Sequence, residues 1–366
     1  MTLYWTIFGV ISFSAFLDIC SNKNKFNTAV LNTIFISCLC VLLILSSIRW
    51  ETGTDWPTYL EAFNRTTDWE DLISIENLEF ESGFLVLNII AHWVGNSYNT
   101  ALFLQGLIIY IFMYLSFKEE SPLPIVSLMI YYSMSLAGMF FVRQTIAILI
   151  LLYATKYIIS GQLKKFILVV IIASLFHRTS LLYLPAYWIY SKQWKWRTLW
   201  ILMLASIVLG LGISKVILKY IASLDLGIVS IKLMAYLDLG NEDNSTIYST
   251  TGIILRGAVN RGLLFLMYWF FLRKKRSHDP IINGLININF LGCVLFFLTS
   301  PIALSLSRVT SYYDMAQVII FPYILIKMNL KNRLILFPIL LLYSSFRLYT
   351  ALTSYSGAYV PYKSIL

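Results

Sequence analysis

The chain has 366 residues, of which 58% are hydrophobic and 13% charged, with a mean hydropathy of +0.74 and a formal net charge of +10. A soluble domain carries roughly 45–50% apolar and about 25% charged residues, so this composition excludes a soluble globular protein. Apolar runs close to the roughly 20 residues needed to cross a bilayer recur throughout. The chain therefore reads as an all-α polytopic membrane protein, one integral membrane domain over residues 1–366. Most lysines fall in short loops, where they mark topology, so the basic balance predicts no nucleic-acid partner. The cysteines, Cys20, Cys38, Cys40 and Cys293, lie in or beside apolar runs with neither disulfide nor metal spacing.

Taken in order, the predicted crossings fall near 3–20, 28–48, 100–117, 122–141, 144–160, 164–177, 180–191, 198–214, 251–272, 283–300, 305–326 and 333–351, about twelve in all. Residues 3–20 have no basic start and no small-residue cleavage site, and read as the first span instead of a cleaved signal. Cytoplasmic loops carry the excess of lysine and arginine. Lys23 and Lys25, Lys118, Lys164 and Lys165, Lys192 to Arg197, Arg273 to Arg276, and Lys327 to Arg333 alternate with the other loops if both termini lie outside. The alternation requires that the apolar piece 83–95 does not cross, so a re-entrant or interfacial helix is expected there. Two outer segments result, 49–99 and 215–250, the second carrying Asp225, Asp238, Glu242 and Asp243.

The start of the first outer segment, RWETGTDWPTYLEAFNRTTDWEDLISIENLEFESG over 49–83, holds nine of the eighteen acids. Such a polar, Trp- and Tyr-rich stretch in an apolar chain must lie outside hydrocarbon and is the natural place for a wet active site. Asp55 follows Gly53, which allows a tight turn, and Glu81 opens the piece 83–95. Either carboxylate is placed to take a proton from a hydroxyl, a role worth roughly 10²–10⁴ in rate. A solvated loop charge is the competing reading for each. His177, at the outer end of an apolar run, is a third candidate base and equally a capping group. Tyr59, with Trp50, Trp56 and Trp69, offers faces for sugar rings or interfacial anchors.

Arg49, Arg143, Arg178, Arg256, Arg261, Arg308 and Arg347 lie at or near the outer ends of their spans, where the positive-inside rule does not put them. Arginine beside a span costs at least a few kcal/mol unless it faces a polar cavity or a partner. Some of these side chains pair with the nearby acids or snorkel to headgroups, but together they predict a cationic cavity for an anion. Guanidinium forks suit phosphate oxygens, and a diphosphate better than a single phosphate. Arg143 opens a helix, whose N-terminus adds amide donors. Arg308 shares a face with Ser311 and Tyr312. Arg256 and Arg261 point about 140° apart by helix geometry, so one ligand does not take both. Arg49 is as well placed to pair with Asp55 as to touch substrate. The sequence shows no clustered metal ligands, no phosphate-cradling glycine loop and no nucleophile elbow, and its short inner loops leave no room for a nucleotide domain. No metal and no cofactor are therefore expected, and activation must come with the substrate.

The segments RWETGTDWPTYLEAF, ESGF at 81–84, FVRQTIA at 141–147, SLFHRTSLL at 174–182 and a late SRVTSYY follow one another in an order that resembles the EpsG-like branch of the Wzy polysaccharide polymerases. Each motif is short, and the specificity lies in order and spacing; residues 200–300 carry no recognised motif. The resemblance implies a multi-pass protein of the bacterial inner membrane, acting at the periplasmic face in O-antigen, capsule or exopolysaccharide synthesis. It implies transfer of a growing glycan from undecaprenyl diphosphate to a hydroxyl of a lipid-linked repeat unit, with membrane lipids and a chain-length regulator as further partners. Arg256 is a candidate only from its place at the outer end of a span, whereas the other candidates lie in the matching motifs, with Asp55, Glu81 and His177 reading as catalytic. Arg49, Tyr59, Arg143, Gln144, Arg178, Arg256, Arg308 and Tyr312 read as substrate contacts.

Three rival readings make different demands. A lipid-linked oligosaccharide flippase would hold charges deep in several helices and lack the long acidic outer segment. A membrane O-acyltransferase would need a histidine-centred inner entrance, where only His278 is available. A transferase using a polyprenyl-phosphate sugar and a metal would show an acidic pair early in an outer loop, and Asp55 stands without a neighbouring acid. That transferase is the nearest alternative.

Overall fold

The computed structural model describes residues 1–365 apart from 22–24, 75–76, 78, 141, 213–215, 217–218, 221–222, 225–233, 235–249, 274–278, 303 and 355. The acids expected in the segment 215–250 lie outside the described residues, as does His278. The named elements are helices: α1 (Thr2–Cys20), α2 (Lys25–Ile48), α3 (Trp56–Arg65), α4 (Ser82–Val94), α5 (Tyr98–Glu120), α6 (Pro124–Ser135), α7 (Val142–Ile159), α8 (Leu163–Ser174), α9 (Ala186–Tyr190), α10 (Trp196–Gly212), α11 (Thr250–Leu272), α12 (Pro280–Thr299), α13 (Ser311–Asp314), α14 (Ala316–Ile326), α15 (Leu330–Ser354) and α16 (Ser356–Tyr359). Strand-like pairing among the described residues is limited to an isolated bridge between Arg49 and Ser364.

Among the described residues eight segments are long and apolar enough to cross a membrane, within α1, α2, α5, α7, α11, α12, Leu306–Ile326 and α15. The chain is thus a helical polytopic membrane protein. The remaining predicted spans take shorter forms. The apolar run 122–141 yields α6, which stops where Leu136, Ala137 and Gly138 turn left-handed at φ 51°, 51° and 75°. The stretch 180–191 folds as a 3₁₀ turn, Arg178–Tyr183, and the short α9, with Pro185 at the junction. The thirteen residues of α4 extend about 20 Å, less than the roughly 30 Å hydrocarbon core.

Polarity is turned inside out relative to a soluble protein. On α1 and α2, Phe13, Phe16, Val41 and Ile44 are exposed while Asp18, Ser14 and Ser46 are buried. Backbone polar groups are satisfied within the helices, and the inward polar side chains bond to backbone at breaks. Asp18 accepts from the Ile125 amide at the start of α6 at 3.1 Å. The chain packs as two compact units, Met1–Leu181 with Val318–Leu366, and Leu182–Gln317. In the first, α5 packs on α2, α4 and α7, α7 on α8, and α6 on α1 and α15. In the second, α12 packs on α9, α10 and α11, and the side chains of Asn283 and Asn287 donate to the Lys192 carbonyl at 2.8 and 2.6 Å.

Candidate active site

The first unit gathers the acidic stretch around one carboxylate. Glu81 is the N-cap of α4, and its carbonyl accepts from the Phe84 and Leu85 amides at 3.0 and 3.2 Å. Its side chain turns away from the helix and is 7% exposed. Oε2 lies 2.7 Å from Nη1 of Arg143, and Oε1 accepts from the Arg178 amide at 3.1 Å. Gly83 makes this convergence possible. Its amide donates to the Leu175 carbonyl at 2.8 Å, and a Cβ there would lie 2.7 Å from that oxygen. Only a glycine lets the start of α4 meet the end of α8 so closely, which carries Glu81 to Arg178.

Arg143, at the second residue of α7, sits in an aromatic cage. Its guanidinium lies 4.8 Å from the ring centre of Phe80, 5.3 Å from Tyr59 and 5.7 Å from Phe84. Nε donates to the Tyr59 hydroxyl at 3.4 Å, and that hydroxyl donates to Asp55 Oδ2 at 3.3 Å. Burial pushes the Tyr59 phenol pKa up, with Arg143 opposing and Asp55 reinforcing the shift. A chain of contacts thus runs Asp55–Tyr59–Arg143–Glu81–Arg178. The Arg143 fork has more N–H donors than its bonds to Glu81 and Tyr59 consume. On the Glu81 side of this chain of contacts a cavity of about 270 Å³ is lined by Leu72, Asn77, Phe80, Glu81, Leu175 and Arg178 among others, and Arg143 is not part of its lining.

The expected residues are distributed unequally. Asp55, Tyr59, Glu81, Arg143 and Arg178 come together. Gln144 follows on α7 and is half-buried. His177 lies next to Arg178, with Nδ1 2.7 Å from Thr179 Oγ1. Arg49 is buried and donates to the Thr52 carbonyl at 3.1 Å, whereas Asp55 contacts Thr54 and Tyr59, so the expected Arg49–Asp55 pairing does not form. Arg256 and Arg308, in the second unit, are exposed, and Tyr312 is buried. In that unit Arg261 forms a two-pronged ion pair with Asp314 at 2.5 and 2.7 Å, donates to Thr310 Oγ1 at 3.2 Å and lies 4.4 Å from the Phe296 ring centre.

Asp314 and Asn77 were not among the expected residues. Asp314 had a signal, being the last acid in the sequence and the only one after Asp279, two residues beyond Tyr312. Asn77 had none. It is 1% exposed, its Nδ2 donates to the Asp71 carbonyl at 3.0 Å, and its Oδ1 has no partner among the described residues. Among the described residues no group of three or more His, Cys, Asp and Glu side chains converges as metal ligands would. The arrangement suits an anion: a caged guanidinium, a second arginine in the lining of the cavity, and a carboxylate that bonds the first guanidinium and the backbone amide of the second.

No curated protein and no solved structure matches the chain. A family model described as the EpsG family matches residues 3–364, and the chain accordingly belongs to that family of membrane polysaccharide polymerases.

Proposed function

We propose that the protein transfers a growing glycan from undecaprenyl diphosphate to a sugar hydroxyl of a lipid-linked repeat unit, at the periplasmic face of the bacterial inner membrane and without a metal. The observation that carries this reading is Arg143, caged by aromatic rings and fixed by Glu81, with donors left over. In the reaction the bond from the anomeric carbon to the diphosphate breaks. A bond from the acceptor oxygen forms, the hydroxyl proton passes to a base, and the diphosphate leaves with the electron pair. Arginine donors aimed at that developing charge supply electrostatic stabilisation, often the largest catalytic term. A diphosphate already leaves well, so one base suffices and a glycosidase's second carboxylate is not required.

Roles within the constellation follow from what each group already bonds. Glu81 receives a donor on each oxygen, which supports it as the residue that orients Arg143 and the Arg178 turn. Asp55 is partly exposed and accepts only from hydroxyls, which supports it as the base, with Tyr59 linking it to Arg143. Arg143 and Arg178 take the diphosphate, and His177 stands beside them. Asn77 lines the cavity, whose volume suits about one sugar ring.

The test is a purified protein in lipid vesicles fed with lipid-linked repeat units, with and without a chelator. Long polymer in both arms, lost in Arg143→Gln, is expected. Activity lost with the chelator and restored by a divalent ion would point to the metal-dependent transferase instead. Repeat units that change leaflet without joining would point to a flippase.

A further inference from the structure

Arg49 poses a physical problem that the proposed chemistry does not use. It is 2% exposed, forms no ion pair among the described residues, and makes one hydrogen bond, to the Thr52 carbonyl. Its Nε has no partner among the described residues. Burial pulls its pKa down, and the surrounding phenols, Tyr98 first, oppose this. An uncompensated buried charge is costly and is retained where it serves a purpose. What holds Arg49 is aromatic. Its guanidinium lies 5.5 Å from the ring centre of Trp56 and 5.6 Å from that of Phe140. Trp56 begins α3, beside Asp55 and less than one turn before Tyr59; Phe140 stands three residues before Arg143. One side chain therefore clamps the two elements that bring Asp55, Tyr59 and Arg143 together.

The segment that seals Arg49 comes from the far end of the chain. Residues 358–365 run against residues 48–53. The Trp50 amide donates to the Lys363 carbonyl at 3.0 Å, the Gly53 amide to Ala358 at 2.9 Å and the Ile365 amide to Ile48 at 3.0 Å. Thr52, fully buried, accepts from the Lys363 amide at 3.1 Å. The Tyr362 hydroxyl donates to the Leu45 carbonyl at 2.5 Å, and the Tyr359 ring stacks on Phe140 at 4.7 Å. Gly53 sits at φ +120°, and a Cβ there would lie 3.2 Å from Arg49 Nη1. The backbone here is shaped around the guanidinium.

We infer that Arg49 and the strap 358–365 form a positioning device, closed throughout turnover, that holds Asp55 and Tyr59 against Arg143, and that Arg49 itself never meets substrate. The turnover part rests on the polymerase reading; the closure does not. This replaces the sequence-based expectation of Arg49 as a substrate contact.

The first arm needs no activity. In full-length protein, Thr52→Cys is treated with a membrane-impermeant maleimide and the peptide carrying residue 52 is weighed, with Glu51→Cys as the exposed reference. Protection of position 52, lost when Lys363→Pro removes the strap amide, is expected. Labelling of position 52 as fast as position 51 would overturn closure. In the second arm, Glu51→Cys and Lys363→Cys are joined by a short bis-maleimide. Turnover at the level of the same double variant capped with a monofunctional maleimide is expected. Loss of turnover on joining alone would show that the strap must open. Arg49→Lys and Arg49→Gln should lower kcat at least tenfold for Gln and less for Lys, with KM for the lipid-linked donor unchanged. A raised KM at constant kcat would make Arg49 a ligand contact. If the wild type joins no repeat units at all, the polymerase reading fails while the labelling arm still decides the strap.

Discussion

Arg143 and Arg261 are both arginines held by one carboxylate, and they use their donors differently. Arg261 meets Asp314 through both terminal nitrogens and spends a further donor on Thr310. Arg143 meets Glu81 through one nitrogen, reaches Tyr59 with a long bond, and among the described residues has donors without a partner. The first pair is satisfied internally and ties α11 to the turn at α13. The second is anchored but incomplete, which is what a binding group for a charged ligand needs. Charge and position along the chain do not separate the two; the fraction of donors already used does.

Breaking the saturated pair should give the largest effect on stability. Asp314→Ala leaves Arg261 part-buried without its partner, a change that typically costs about 3–5 kcal/mol. Thermal unfolding in detergent should shift accordingly, and the molecules that remain folded should keep their turnover. Arg143→Gln should do the reverse. Turnover should fall roughly 10²–10³-fold, as when a preorganised donor to a developing oxyanion is removed, with little change in unfolding. Equal stability losses in both variants, with turnover lost in both, would erase the distinction between them.

Much of this was legible in the sequence, for identifiable reasons. Helical membrane character follows from composition, and α4 is as short as the charge alternation expects of a piece that does not cross. Arg143 and Arg178 stand out because charges beside apolar runs are expensive, and Asp55, Tyr59 and Glu81 because they lie in the one long polar, acidic stretch of an apolar chain. Their partners were not legible. Glu81 and Arg143 are 62 residues apart, and the encounter depends on Gly83 meeting Leu175, a backbone approach with no local pattern. The run 180–191 reads as a span by hydropathy, yet Pro185 breaks it into a turn and a five-residue helix. The burial of Arg49 was the least legible, since its lid lies more than 300 residues away.

Gly83 offers a milder way to sharpen the comparison. Gly83→Ala places a methyl group against the Leu175 carbonyl, and overpacking of this kind costs roughly 1–3 kcal/mol. Because the same contact delivers Glu81 to the Arg178 amide, turnover should fall on the order of tenfold at temperatures where the variant is fully folded. Unchanged turnover would mean that Glu81 finds its partners without that approach.

The smallest effect is expected at the exposed pair Lys363–Glu51, whose charged atoms lie 3.0 Å apart with side chains 52% and 59% exposed. Solvent screens such pairs, and they contribute roughly 0.2–1 kcal/mol. Lys363→Ala removes the ammonium and leaves the amide and carbonyl that bond to Thr52 and Trp50. Unfolding, turnover and the protection of position 52 should therefore all stay near wild type, and added salt should move none of them. Lys363→Pro, which deletes the amide donor to Thr52, should expose position 52. If Lys363→Ala instead matched Asp314→Ala in its cost, the strap would be held by its charge and not by its backbone. The principle drawn from the two arginines would then fail at the surface, with partner geometry giving way to net charge as the quantity that matters.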